Sequence, residues 1–491
     1  MPRALGPLIA ASIVIVGTGL TGVPTLTTSP PTAQVRAVQL VDAEISQGIA
    51  DIMAGSGTPI PSDSYVEHVF DVFVKPLYPG YSPQPVYYPA GNYALYTGVK
   101  SLPLDTSEAQ GTQILDNLIT QQVNDGFDVV MKGQSQSSTI AGMTMTELAA
   151  QHVSSSDVSF VLTGDPNLPN GGLFERADGL TLPSLGITFN GATPSDLYPT
   201  TIYTLEYDGF ADVCQYPIDA ICDLNSILGI QYVHPTYSVD VTPEQLATAI
   251  KLPTMGATMT TYYMIPTNDL PLLDPLRAIP VVGDPLANLL QPDLEVLVNL
   301  GYGDPDYGWS QGFANVPTQF GLFPSLADLE KVPGLLVSGT QQGISNFVGD
   351  ITSGAAAVLS DPSATVSSVL ASPMAALSTM LSPAALLSGL SPNGIADEVT
   401  AVVNALSGAA SAAYATLLPT ADVITAVLTG LPTYDLNLFA AGLGSGNLVE
   451  ALGQPIATDT YLLQLAAGFE FFAVVGQAST AVADLSSLIP L

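Results

Sequence analysis

One serine in the chain stands where a nucleophile would. Ser135 lies in Gly133-Gln134-Ser135-Gln136-Ser137, directly after the apolar run Phe127-Asp128-Val129-Val130-Met131 and directly before the small residues that open Ser138 to Gln151. A strand that ends in a sharp turn and leads straight into a helix projects its turn residue above the sheet, and small neighbours give the chain room to bend. Gly133 meets that need, while Ser137 occupies the place of the usual second glycine. A serine hydroxyl attacks a carbonyl only when a base accepts its proton. The chain offers three histidines, His68, His152 and His234. Where such an elbow carries the serine, the chain order is serine, acid, histidine, and only His234 follows Ser135 by enough chain to include a further strand and an acid. His152 ends the helix that leaves the elbow and reads as a solvated helix-terminal histidine. His68 precedes the serine, in an amphipathic pattern with Tyr65, Val69 and Val72 on its apolar side.

The acid must orient the imidazole and stabilise the imidazolium that forms as the base takes a proton. Two carboxylates follow the strand pattern Thr201 to Tyr207, in Tyr207-Asp208-Gly209-Phe210-Ala211-Asp212-Val213-Cys214. Asp212 is the preferred acid, because it lies further into the loop and beside the cysteine pair; Asp208 is the alternative. Either one also reads as a turn-capping Asp next to Gly209. An oxyanion needs two backbone N–H donors, one from the residue after the nucleophile and one from a loop after an early strand. The first is Gln136. The second is sought in Met53-Ala54-Gly55-Ser56-Gly57, at the amide of Ser56 or Gly57.

The elements that must position these groups alternate in type. Asp105 with Glu108 fits the N-cap and N3 positions of a helix. Ile114, Leu115, Leu118, Ile119 and Val123 supply its apolar face, and Gly126 stops it. Strand patterns follow at Phe127–Met131, Val158–Leu162 and Thr201–Tyr207. This alternation predicts an α/β fold with a mostly parallel sheet covered by helices.

Composition narrows the partners. The 491 residues include 43 acidic and 9 basic side chains, for a formal net charge of -34. So few cations cannot offset phosphate charge, so nucleic acid is excluded as a partner. Hydrophobic residues make up 47% of the chain, too many for intrinsic disorder. Met1-Pro2-Arg3, the uncharged run Ala4 to Leu20 and the site at Val35-Arg36-Ala37 read as an export signal over residues 1–37, with an uncleaved membrane anchor as the alternative. In every later apolar run Gly, Pro, Asp or Asn intervenes, which argues against a further spanning helix. In an exported chain the two cysteines, Cys214 and Cys222, are expected to pair as a disulfide. With three histidines in all, no metal site and no cofactor are expected.

Beyond residue 335 the chain has no Lys or Arg. Ile351–Leu370, Pro383–Leu390, Glu398–Leu417 and Tyr461–Ala483 carry helix-spaced apolar residues, divided by Pro373, Pro392, Pro419 and Pro432. A bundle of short helices is expected, its apolar faces packed on one another or docked on membrane or envelope lipid.

Several segments together resemble the PE-PPE domain, a serine α/β-hydrolase module of mycobacteria and their relatives that is akin to cutinases. They are Ala54-Gly55-Ser56-Gly57-Thr58-Pro59, the elbow at Ser135, Gly164-Asp165-Pro166-Asn167 running to Pro169-Asn170-Gly171-Gly172, and Tyr207 to Asp212. Asn225 with Tyr232-Val233-His234 and Leu270-Pro271-Leu272-Leu273-Asp274-Pro275-Leu276-Arg277 complete the set, in order across residues 50–310. The resemblance implies an α/β-hydrolase fold, a Ser-Asp-His triad, and esterase or acyl-transfer activity on lipid esters of the cell envelope. The Asp212-x-Cys214 spacing, with Cys222 before His234, is similar to the acid loop of cutinases. The helical PE or PPE module that usually precedes this domain is replaced here by the signal-like segment, which favours a general export route and a secreted or envelope-bound protein.

The expected organisation is therefore a signal at 1–37, a hydrolase domain at 38–310, a linker at 311–334 and a helical region at 335–491. The expected activity is that of a serine esterase or lipase, with acyl transfer to a trehalose-type sugar as one alternative and a non-catalytic lipid-binding envelope protein as another. Aromatic, weakly charged stretches such as Tyr78–Tyr96 suit an apolar acyl chain.

Overall fold

A computed structural model describes residues 48–93, 101–360 and 392–486. The signal-like segment at 1–37, Pro373 and the Pro383–Leu390 segment lie outside the described residues.

The chain opens with β1 (Gly48–Ile52), α1 (Asp63–Val69), a π-helical turn (Phe70–Val74) and β2 (Tyr81–Pro85). Next come α2 (Leu104–Asn124), β3 (Asp128–Gln134), α3 (Gln136–Ala150) and β4 (Val158–Thr163). Helix α4 (Leu173–Arg176) and a hairpin of β5 (Thr181–Leu182) and β6 (Ile187–Thr188) precede β7 (Thr200–Leu205). Then follow α5 (Ala220–Tyr232), a 3-10 turn (His234–Ser238), α6 (Pro243–Leu246), β8 (Ile250–Lys251) and β9 (Thr260–Ile265). Helices α7 (Asp274–Arg277), α8 (Gly283–Leu300), α9 (Leu326–Ser360), α10 (Pro392–Gly444) and α11 (Leu448–Ser486) follow among the described residues.

The main sheet has the order β2-β1-β3-β4-β7-β9-β8 and is parallel throughout except for β8. Central strands such as β3 and β4 are buried along almost their whole length, as a sheet covered on both faces requires. The prolines of β2, Pro83 and Pro85, sit on an edge strand, where a missing N–H costs no ladder bond. From β1 the chain steps outward to β2 and then returns to the other side of β1 with β3. That reversal opens a crevice at the carboxyl ends of β1 and β3, the place where open α/β sheets hold their ligands.

Helix α2 begins at Leu104 with Pro103 at its N-cap, so the Asp105–Glu108 capping box is corrected. The Asp105 carboxylate is used elsewhere, accepting from Thr188 N at 2.7 Å and Thr188 Oγ1 at 3.0 Å. Leu115 and Ile119 are buried as expected, Ile114 is exposed, and Gly126 ends the helix region at φ +89°.

The C-terminal region also departs from its expectation. Helix α10 runs through both Pro419 and Pro432, so two long helices replace several short ones. A proline within a helix loses one backbone bond, a loss that tertiary packing can outweigh. Ala426, Leu431, Tyr434 and Leu438 of α10 and Ala457, Tyr461, Leu462 and Leu465 of α11 share one buried core with Leu173, Phe174, Phe210 and Ile227 of the sheet domain. Polar contacts lock the same face: Tyr461 Oη and Ser226 Oγ lie 3.1 Å apart, and Ser184 Oγ donates to Asp422 O at 2.8 Å. Thr420–Gly444 holds Asp422, Gly430, Pro432 and Asp435, yet by length and composition it is apolar enough to cross a membrane. Phe320 is buried, Thr318 accepts from the buried Arg176, and α9 already starts at Leu326.

Several carboxyls are buried in this fold, and burial pushes their pKa values up: Asp51 and Asp165 to about 6, Glu206 to about 7 and Asp223 to about 8. The folded chain therefore keeps protons that the unfolded chain releases from about pH 4 upward. Their stabilising contribution is full at the acid end of that window and is lost as pH rises through about 6 to 8. We expect a higher urea midpoint at about pH 5.5 than at about pH 8, with the slope carried by these groups; equal midpoints would show that the acids titrate normally.

Candidate active site

Four strand ends converge on one point. In register, Ile52 of β1 pairs with Lys132 of β3, Gln134 of β3 with Thr163 of β4, and Thr163 with Tyr203 of β7. The residues just past those ends are the Gly55–Ser56 loop, Ser135, Gly164 and Asp208.

Ser135 occupies the turn between β3 and α3 at φ 56° and ψ -125°, a strained backbone for a non-glycine residue. Its N–H donates to Thr163 O at 3.1 Å, tying the turn to β4. Gly133 is obligatory, since a Cβ there would meet Ser137 O at 2.7 Å. The second glycine of the usual pattern is dispensable because Ser137 braces the turn itself. Its Oγ accepts from Gln134 N at 2.7 Å and lies within donating reach of Gln134 O at 3.0 Å and Met53 O at 3.1 Å.

His234 opens the 3-10 turn that follows α5 and is buried. Its Nε2 lies 2.7 Å from Ser135 Oγ, and its Nδ1 lies 2.8 and 2.9 Å from the two oxygens of Asp208. Ser135 and His234 thus meet as expected. The acid at this position is Asp208, which corrects the preference for Asp212.

The reason lies in the turn. At the end of β7, Tyr207 adopts φ 66° and the chain reverses, with Asp212 N donating to Asp208 O at 2.7 Å. The nearer carboxylate stays above the sheet end, while the further one swings back into the core. There Asp212 Oδ2 accepts from Tyr207 N at 3.1 Å, its Oδ1 has no partner among the described residues, and burial pushes its carboxyl well above the usual range. Asp208 Oδ1 caps its own turn, accepting from Phe210 N at 2.9 Å and Ala211 N at 3.2 Å. The turn-cap role and the contact with histidine are therefore filled by one residue. Burial raises the Asp208 pKa, but the positive charge and hydrogen bond of His234, with the Phe210 N–H and Tyr237 O–H, outweigh it and leave the carboxyl below its ordinary value.

Tyr237 was not singled out in the sequence. Its hydroxyl donates to Asp208 Oδ2 at 2.7 Å and accepts from Leu205 N at 2.7 Å. The signal is its spacing: positions i and i+3 of a 3-10 turn lie on one side, so His234 and Tyr237 face the same carboxylate. Gly164, at φ +54°, leaves room for this cluster; a Cβ there would fall 2.7 Å from the Tyr237 ring and 3.1 Å from Asp208 Oδ2. His68 and His152 take no part. His152 is exposed just past α3, and His68 lies on α1.

A cavity of about 210 Å³ opens over Ser135 and His234. Its lining includes Ser56, Thr58 and Glu108 as well as Phe174 and Phe210. Gly55 backs closely onto Ser135, with the position of a Cβ only 3.3 Å from Ser135 Cβ. The Gly57 N–H is committed to Ala90 O at 2.8 Å, which leaves Ser56 as the donor from this loop. The Gln136 N–H stands at the first position of the 15-residue helix α3, where backbone donors and the helix dipole favour negative charge. The Gln136 side chain is anchored apart from it, donating to Gly91 O at 2.7 Å and accepting from Ser107 Oγ at 3.2 Å. Cys214 and Cys222 are joined as a disulfide between the acid turn and α5, the helix that delivers His234. Among the described residues no cluster of His, Cys, Asp and Glu could hold a metal ion.

This arrangement can abstract a proton from Ser135, hold the resulting imidazolium against a carboxylate and receive an oxyanion at two N–H groups. We expect Asp208→Asn to slow labelling of Ser135 by a fluorophosphonate by roughly 10³- to 10⁴-fold, as loss of the orienting acid does elsewhere. Asp212→Asn should change the labelling rate far less. The opposite order of effects would return the acid's role to Asp212.

The PE-PPE domain family model matches residues 79–303. An uncharacterized PPE family protein of Mycobacterium tuberculosis, PPE28, is 42% identical over 472 residues, covering 94% of this chain and 70% of its own. Esterase PE16 of the same organism is 45% identical over 287 residues, 57% of this chain and 52% of its own length. Among solved structures, a cutinase-like protein from Cryptococcus sp. aligns with 34% of this chain and 79% of its own, at 17% identity and a TM-score of 0.25. Through the domain at residues 79–303, and through its likeness to PPE28 along nearly the whole chain, the protein belongs to the PE-PPE domain family.

Proposed function

We propose that this protein is an exported serine esterase acting on acyl esters of cell-envelope lipids. The observation that carries the reading is the 2.7 Å contact between Ser135 Oγ and His234 Nε2, backed by the buried Asp208. Ser135 Oγ attacks the ester carbonyl carbon as His234 Nε2 takes its proton. Asp208 holds the Nδ1–H and the positive charge that results. The carbonyl oxygen becomes an oxyanion facing the N–H groups of Gln136 and Ser56. Collapse of the intermediate breaks the ester C–O bond, and the leaving alcohol takes the proton from His234. Water, activated by the same imidazole, then releases the acid from acyl-Ser135. A relative that carries the name esterase supports the class of reaction. The substrate class is supported by the apolar walls beside the serine, Phe174 and Phe210, and export by the signal-like N-terminal segment.

A second reading, transfer of the acyl group to a sugar hydroxyl, is favoured by Glu108. This buried side chain lines the catalytic cavity, its Oε1 has no partner among the described residues, and burial with nearby Asp105 pushes its carboxyl well above the usual range. A carboxyl in the lining of that cavity stands where an acceptor alcohol would approach acyl-Ser135.

The test is turnover of p-nitrophenyl butyrate with and without trehalose. We expect wild type to release p-nitrophenol and Ser135→Ala to lose at least about 10³-fold in kcat. Free butyrate as the product supports the esterase; butyryl-trehalose supports transfer. Folded wild-type protein that neither turns over ester nor takes up a fluorophosphonate at Ser135 would instead indicate a non-catalytic envelope protein.

A further inference from the structure

Behind the catalytic cavity lies a second space, between the sheet domain and the C-terminal helices. Its volume is about 90 Å³, and its lining is apolar throughout. Leu182, Ile187 and Phe189 face it from the β5–β6 hairpin region, Val427 from α10, and Leu465 and Phe469 from α11. Phe174 and Phe210 line both this space and the catalytic cavity. The Phe210 ring meets the His234 imidazole edge-on at 4.8 Å and stacks on Phe469 at 6.3 Å. One aromatic ring therefore separates the catalytic base from helix α11.

We propose that this space receives the acyl chain of the substrate, so that α10 and α11 form one wall of the acyl site. The inference rests on the reading of Ser135 as the residue that accepts the acyl group. An ester held with its carbonyl at Ser135 must send its two arms in different directions. The catalytic cavity carries polar side chains, among them Ser56, Thr58 and Glu108, that suit the alcohol arm. Its Phe174 and Phe210 also border a space without a charged or amide lining residue, which suits a hydrocarbon. Each methylene that leaves water for such a space gains roughly fourfold in binding. The matched family domain ends at residue 303, so this wall is built by chain outside that domain. Acyl-chain preference is accordingly set by two helices that hold none of Ser135, His234 and Asp208.

The test uses the full chain and two variants at the helix wall. Ala426→Trp fills the space, and Phe469→Ala enlarges it. We expect the ratio of kcat/KM for p-nitrophenyl octanoate over acetate to fall at least tenfold in Ala426→Trp. For Phe469→Ala we expect the ratio of dodecanoate over octanoate to rise at least threefold. Binding is read separately from catalysis, by fluorescence of cis-parinaric acid on Ser135→Ala protein. Saturable binding that weakens at least tenfold when Ala426→Trp is added supports the site even where no ester is turned over, in which case the esterase reading alone fails. Wild-type chain-length ratios in both variants, or no saturable binding of the acid, overturn the proposal. Should Ala426→Trp not fold, the Phe469→Ala ratio and the binding on Ser135→Ala protein decide it alone.

Discussion

The site depends on one buried charge. Asp208 is fully enclosed, and a carboxylate in that position is costly unless its oxygens are hydrogen-bonded. Four donors meet this need: the backbone N–H groups of Phe210 and Ala211, the Tyr237 hydroxyl and His234 Nδ1–H. Three of them come from the turn and from Tyr237, so the charge is stabilised in advance of any proton transfer. The fourth fixes which imidazole nitrogen faces Ser135. Orientation and tautomer of the base both follow from how this one carboxylate is solvated by protein.

The sheet explains why those donors arrive together. Parallel strands end at the same edge, and the reversal of strand order between β1 and β3 leaves that edge open above Ser135. The strained serine, the Gly55–Ser56 loop, Gly164 and the Asp208 turn are then neighbours through register rather than through sequence proximity. Missing side chains at Gly133 and Gly164 let the Ser137 backbone and the Tyr237, Asp208 and His234 side chains approach closely.

The C-terminal helices follow a different logic. They carry no Lys or Arg, and their buried face joins the sheet domain through Tyr461, Leu465 and their neighbours. A second apolar layer next to a hydrolytic site changes its surroundings from water to hydrocarbon on one side. Phe210, between imidazole and α11, belongs to both layers.

Local physics made part of this legible in the residues alone. A compact apolar run, a small-residue turn and a helix of small side chains can form a strand, an elbow and a helix in one order, so Ser135 and Gln136 could be named without coordinates. Chain order singled out His234, and the pairing of Cys214 with Cys222 followed from there being two cysteines. The acid could not be settled that way, because Asp208 and Asp212 differ by one reversal of the backbone at Tyr207, and a reversal is decided by what it packs against. Glu108 misled for the same reason: its spacing from Asp105 fits a cap, yet Thr188 captures Asp105 from across the fold. Prolines 419 and 432 read locally as breaks, while α10 passes through them because burial against a distant hairpin and helix outweighs a lost backbone bond. Identity and order of the reacting groups are encoded by neighbours in sequence; their partners, and the wall behind them, are set by contacts across hundreds of residues that no short window contains.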